Sequence, residues 1–168
     1  MSENLETKLR KHMKVVATLC YVEEDDKILM LLRNKKENDM HEGKYNGLGG
    51  KAEHGEDPYT CVKREVKEEA GIEIKPRYIG NITFENFMPN IDWEVHLFRA
   101  KGYQGNLIES NEGDLVWVKK EELLDLNLWD GDKIFLKYLF QDRFFFGKFK
   151  YDNGKVIDYN IQLMHYIE

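Results

Sequence analysis

Three glutamates, Glu65, Glu68 and Glu69, stand at i, i+3 and i+4 in a segment that also carries Val62, Val66 and Ala70 at i, i+4 and i+8. On a helix the three carboxylates share one face, roughly 110° away from the apolar stripe. Carboxylates this close repel one another and cost stability unless positive charge sits among them. Hard divalent cations want oxygen ligands, and Mg2+ is typically held by a few carboxylates, water and substrate phosphates. The chemistry expected of this face is therefore a Mg2+ or Mn2+ site that shares its ion with a phosphorylated ligand. Such an ion neutralises phosphate oxygens and lowers the pKa of water, which removes the two obstacles to polyphosphate hydrolysis.

A solvated helix face, with Lys63 and Lys67 among the glutamates, is the competing reading, and the wider spacing decides against it. Gly50, Glu56, Arg64, Glu65, Glu68, Glu69 and Gly71 hold fixed separations, with apolar Val66 and Ile72 between and after them. This is the pattern glycine, five residues, glutamate, seven residues, then Arg-Glu-apolar-x-Glu-Glu-x-Gly-apolar, and it resembles the Nudix hydrolase family at every defined position. The resemblance implies an α/β/α sandwich with a mixed β-sheet, a catalytic helix at about 57–70, and Mg2+-dependent hydrolysis of a diphosphate linked to another moiety. It further implies that Glu65, Glu68 and Glu69 are metal ligands, beside a backbone carbonyl of the Gly49-Gly50 knot, assigned to Gly50. Arg64 resembles the arginine that orients a glutamate of the motif, here Glu56. Glu69, Glu68 and the distant Glu112 all remain candidates for the general base.

The flanks narrow the branch. Asn46-Gly47-Leu48-Gly49-Gly50-Lys51 is similar to the entry of the MutT-type, nucleotide-pool sanitising members that act on 8-oxo-dGTP and other oxidised purine triphosphates. Thr83-Phe84, Val95-His96-Leu97-Phe98 and Glu109-Ser110-Asn111-Glu112 before Trp117 continue the likeness. By that resemblance Asn46, Lys51 and Asp132 bind the substrate, Trp129 stacks on the base, Phe84 lines the pocket wall, and Glu112 reaches the metal centre. Plain core aromatics are the rival reading for Trp129 and Phe84, and a solvated acidic loop for Glu112. One departure stands out: where this branch has two adjacent aspartates, the chain reads Trp129-Asp130-Gly131-Asp132, which leaves one acid of the pair and displaces another to Asp130. Another is a longer, charged connection at 34–45, with Met40 near an aromatic position of the relatives. The reading is cleavage of an oxidised purine dNTP to monophosphate and pyrophosphate. The alternatives are another Nudix substrate (ADP-ribose, a dinucleoside polyphosphate, a pyrimidine triphosphate) or a non-catalytic nucleotide sensor.

Elements must hold these groups in place. Residues 14–22 and 27–32 are rich in β-branched and apolar side chains around the turn-like 23–26, which suggests a hairpin. Asp57-Pro58 offers an N-cap and a first-turn proline, and Gly71 a stop, so the carboxylate helix has both ends marked. Strands are expected at 79–87, 92–100 and 115–119, a helix at 133–140, and a hairpin of 144–151 with 156–161 turning at Asp152-Asn153-Gly154. Interleaved strands and helices give an α/β class with a mixed sheet.

The 168 residues suit one domain, read as a polar leader at 1–12 and a single domain at 13–168. With 25 Lys+Arg against 31 Asp+Glu the net charge is −6, which lacks the basic footprint of a nucleic-acid polymer binder. Cys20 and Cys61 are too few for a disulfide framework or a zinc site of their own. No apolar run approaches the ~20 residues of a membrane span, and the start carries no secretory h-region. A cytoplasmic enzyme with a small nucleotide as partner, monomeric or homodimeric, is expected.

Overall fold

The first strand alternates cleanly: Ala17 and Tyr21 face one side, Cys20 and Val22 the other, all of them buried. A strand apolar on both faces must be central and covered twice. That is where the computed structural model, which describes residues 4–6, 13–35 and 41–165, places it. The leader at 1–12 therefore lies largely, and Met40 wholly, outside the described residues. In chain order come β1 (Met13–Glu24), β2 (Lys27–Leu32), β3 (Tyr45–Asn46), α1 (Pro58–Ala70), β4 (Arg77–Met88) and β5 (Ile91–Lys101). They are followed by β6 (Asp114–Lys119), a 3-10 turn at Lys120–Asp125, α2 (Asp130–Phe135), a second 3-10 turn at Leu136–Tyr138, β7 (Phe145–Asp152) and β8 (Lys155–Leu163).

The strands form one mixed sheet in the order β3-β2-β1-β5-β4-β7-β8, with β6 also paired to β2. β1 runs parallel to β5, and β4 parallel to β7, while the remaining named pairs are antiparallel. One face is covered by α1, whose Val62, Val66 and Ala70 pack on Cys20, Val22, Leu29, Leu31, Phe98 and Ala100. The other face holds a larger core in which Phe135, Leu136 and Leu139 close over Tyr21, Met30, Ile82, Leu97 and Phe149. Helices on both faces of a mixed sheet make the α/β sandwich.

The ends of α1 follow from its local chemistry. The Asp57 side chain accepts the Thr60 amide, Pro58 opens the first turn, and Gly71 closes the helix in the left-handed region. The helix expected at 133–140 instead starts three residues earlier, at Asp130, and tightens into the 3-10 turn. Asp130 in the first turn suits the positive end of the helix, a preference that outweighs the turn-like look of Asp-Gly-Asp.

What positions the site is an exchange of partners along β1. Its last residues pair with β2, from Val22 opposite Leu29 to Glu24 opposite Lys27. Earlier in the strand, the segment following β3 takes over. Thr18 donates its amide to Gly50, Cys20 and Leu48 bond reciprocally, and Ala52 donates to Val16. The approach is so close that a Cβ on Gly49 would sit 2.1 Å from the Thr18 carbonyl oxygen, and its φ of +145° is one that side chains rarely tolerate. Gly49→Ala is therefore expected to cost about 3 kcal/mol or more, or to prevent folding outright, as read by denaturant unfolding. A near-native midpoint would show that this contact does not hold the segment.

Candidate active site

Where β1 leaves β2, a cleft of about 530 Å³ opens, and it gathers side chains from both faces of the sheet. At one end stand Glu65 and Glu69 of α1 with Glu112 from the loop before β6. At the other are Asn46, Phe84, Trp129 and Asp132, and Lys51 lies on the wall between. Arg64, Glu56 and Glu68 do not line the cleft; they stand around and behind its acidic end.

Arg64 organises that end. Its Nε and Nη2 donate to the two oxygens of Glu56 at 2.7 and 2.8 Å, a bidentate pair, while Nη1 donates to Glu65 at 2.8 Å and to Glu68 at 3.2 Å. The guanidinium holds the Glu56 carboxyl down to about 2, helped by the Glu53 backbone amide. Glu65 behaves differently: partial burial raises its carboxyl in spite of Arg64. Glu68 is 61% exposed.

Glu69 is the unusual member. It is only 7% exposed, and its Oε1 is buried with no hydrogen-bond partner among the described residues. Burial, then the charges of Glu112 and Glu65, push its carboxyl up to about 8, against a partial offset from Arg33 and the Gly49 amide. Glu112 pairs with Arg33 at 3.2 Å. Among the described residues no three His, Cys, Asp or Glu side chains are already gathered as a closed metal cage. Mutually repelling carboxylates settle instead on the nearest fixed cations, Arg64 and Arg33. The donor chemistry nevertheless suits a hard cation: all oxygen, acidic, and with one buried oxygen left unpaired. The Gly50 carbonyl accepts the Thr18 amide at 2.9 Å, whereas the Gly49 carbonyl is taken up by no hydrogen bond among the described residues.

The opposite end is aromatic with a few polar groups. Trp129 is half-buried and meets Phe87 edge-on at 5.0 Å, with Lys44 Nζ 5.5 Å from its ring. Phe84 is both core and wall, packed on Phe87, Phe135, Phe149 and Tyr151 while bordering the cleft. Asn46 has its amide nitrogen buried, with no hydrogen-bond partner among the described residues. The Asp132 carboxyl is buried, which pushes it up to about 7 against the pull of Lys44.

The displaced acid does not substitute for the missing one. Asp130 turns to the β7–β8 hairpin and accepts the Val156 amide at 3.1 Å. Gly131 is held by packing, since a Cβ there would lie 2.6 Å from the Tyr151 hydroxyl and 2.9 Å from the Phe84 ring. The same hydroxyl accepts the Gly131 amide at 2.8 Å. Asp132 is thus, among the described residues, the one carboxyl lining this end of the cleft. Sequence reasoning missed His41, Phe87, Trp93 and Arg33, all of which line the cleft. They belong to no motif; Arg33 follows β2, His41 opens the turn before β3, and Phe87 and Trp93 come from β4 and β5, so only tertiary packing brings them there.

Comparison with known proteins agrees with this architecture. The family model described as NUDIX domain matches residues 13–139, and the chain belongs to the Nudix family of hydrolases. Within it, the chain is 32% identical over 141 residues to the oxidized purine nucleoside triphosphate hydrolase of Danio rerio, covering 83% of this chain and 88% of the relative. It is 29% identical over 147 residues to the Mus musculus protein of the same name, covering 86% and 92%. The crystal structure of a MutT protein from Bacillus halodurans superposes with a TM-score of 0.78 at 32% identity, covering 88% of this chain and 97% of that one.

The raised Asp132 carboxyl makes a stability prediction. Below about pH 4 it is protonated in both the folded and the unfolded chain. As pH rises toward 7 the unfolded chain gives up its proton first, so stability falls, by up to about 4 kcal/mol once pH exceeds 7. Asp132→Asn is expected to flatten that decline and to be the more stable protein at pH 8.5, with little difference at pH 4. Parallel pH profiles in urea unfolding would contradict a carboxyl held neutral by burial.

Proposed function

We propose that this Nudix hydrolase is a Mg2+-dependent pyrophosphohydrolase of purine nucleoside triphosphates that prefers 8-oxo-dGTP, releasing the monophosphate and pyrophosphate. The observation that carries the reading is one continuous cleft, acidic at one end and aromatic with Asn46 and Asp132 at the other. A nucleotide laid along it puts its phosphates at the glutamates and its base against Trp129. The fish and mouse relatives, named for oxidised purine triphosphates, support the same substrate class.

Glu65, Glu69 and Glu112 would hold the metal, with Glu68 at the rim. The backbone oxygen assigned to the set is that of Gly49 rather than Gly50, because Gly50 is committed to β1. When bound, the ion supplies neutralisation of phosphate charge and a lowered pKa for water. The chain's own residues do the positioning. Arg64 locks Glu56 and thereby ties the loop 50–56 to α1, and Lys51 on the cleft wall faces the anionic part of the substrate. Asn46 offers a donor and an acceptor to the purine edge. Asp132, its carboxyl pushed up to about 7 by burial, keeps a protonated form near neutral pH that offers an O–H donor an ionised carboxylate lacks. With Gly131 in place of a second acid, there is no carboxyl pair to share a proton and adapt to several base edges, so a strong guanine bias follows and oxidised adenine nucleotides are turned over poorly.

The test is a kcat/KM panel with 8-oxo-dGTP, dGTP, 2-oxo-dATP and ADP-ribose, each with Mg2+ and with EDTA. Preference for 8-oxo-dGTP and loss of turnover in EDTA are expected. Equal efficiency on 8-oxo-dGTP and 2-oxo-dATP would refute the single-carboxyl argument, and preference for ADP-ribose would refute the substrate class. Glu69→Gln removes charge at constant size and should lower kcat by about 100-fold or more. Its apo form should melt higher than the parent, since a buried ionisable group is gone.

A further inference from the structure

The indole of Trp129 is held from outside the aromatic cluster. Its Nε1 donates to Nδ1 of His41 at 2.8 Å, and the imidazole lies edge-on to the indole with centroids 5.4 Å apart. The imidazole is also stacked on Phe87 at 6.4 Å, and Phe87 packs on Trp129. An indole N–H can only donate, so the facing imidazole nitrogen is the unprotonated one. This bond crosses 88 residues of sequence and joins the turn before β3 to the segment before α2.

The two segments are tied independently of that bond. Tyr45 donates its amide to the Asn127 carbonyl at 3.0 Å, and the Asn127 side chain donates to the Gly43 carbonyl at 2.8 Å. Lys44 Nζ donates to the Asn127 side-chain oxygen at 3.1 Å. The turn carrying His41 is closed by Lys44 donating to the His41 carbonyl and Gly43 to the Arg33 carbonyl. His41 is thus presented to Trp129 from a fixed backbone, and its bond sets the remaining freedom, rotation of the indole about its side-chain torsions. Aromatic torsions of this kind are broad when nothing fixes them.

We infer that His41 is a specificity-positioning residue: by accepting the Trp129 N–H it fixes the plane of the indole against which the purine base stacks. The inference rests on the proposed placement of the base at Trp129. His41 touches no reacting atom, so its loss acts on base binding and leaves the chemical step alone.

The experiment is steady-state hydrolysis of 8-oxo-dGTP and dGTP by four single variants and one double variant, with thermal unfolding recorded for each. His41→Leu is expected to raise KM about 3- to 10-fold, the scale of one neutral hydrogen bond, with kcat within about 2-fold of the parent. His41→Gln, which keeps an acceptor, should recover most of that loss. Trp129→Phe removes the donor and keeps a ring, so adding His41→Leu to it should change KM no further. Trp129→Ala reports on the base-stacking reading itself. If Trp129→Ala raises KM while folded His41→Leu does not, His41 has no positioning role although the base does stack on Trp129. If Trp129→Ala leaves KM unchanged, the base lies elsewhere and both statements fall. Equal KM losses in His41→Gln and His41→Leu would also overturn the inference, since shape rather than the acceptor would then be responsible.

Discussion

The contact between Gly49 and Thr18 governs the geometry of the acidic end of the cleft. Because the loop backbone presses against β1, the strand can give up β2 as its neighbour and bond to residues 48–52 instead. That exchange opens the sheet where the cleft lies. It also starts the path to α1 close enough for Arg64 to donate to the Lys51 carbonyl and for Cys61 to sit on Gly50 and Thr18. A side chain at position 49 would push the loop away from β1, and the carboxylate helix would lose its register with the cleft.

Electrostatics within the site are arranged around two arginines. Arg64 and Arg33 act as internal counter-charges for Glu56, Glu65, Glu68 and Glu112, which would otherwise repel one another across a few ångströms. Glu69 receives no direct ion pair among these contacts and is the group whose carboxyl is driven furthest from its ordinary range at this end. At the other end Asp132 is raised by burial with Lys44 as the offsetting charge. Two carboxyls in one cleft are thus raised far above the usual carboxylate range for different reasons, repulsion adding to burial at Glu69 and burial alone at Asp132.

Much of this was legible before folding. The i, i+3, i+4 glutamates, the Asp57 cap and the Gly71 stop specify α1 almost to the residue, because capping and periodicity are local properties. The hairpins at 23–26 and 152–154 are local in the same sense. Gly131 reads from sequence only as a missing acid, whereas its reason is the Tyr151 hydroxyl and the Phe84 ring arriving from β7 and β4. Asp130 likewise looks available until the hairpin amide of Val156 claims it. His41, Phe87 and Trp93 carry no spacing signal, since they converge through tertiary packing of segments far apart in the chain. The partner exchange of β1 is hidden for the same reason: alternation shows that a strand is buried twice and says nothing of which neighbour it bonds.

The two ends of the cleft hang on separate supports. The acidic end depends on α1 and the glycine loop, and the aromatic end on α2, β3 and the Asn127 stitching between them. Few groups are shared, so substitutions in one half leave the other's geometry standing. A scaffold built this way is modular: the ligand preference of the aromatic half can drift, or be redesigned, while the hydrolytic half is inherited intact. That independence gives a physical route by which one chemistry could be carried to many nucleotides without being reinvented for each.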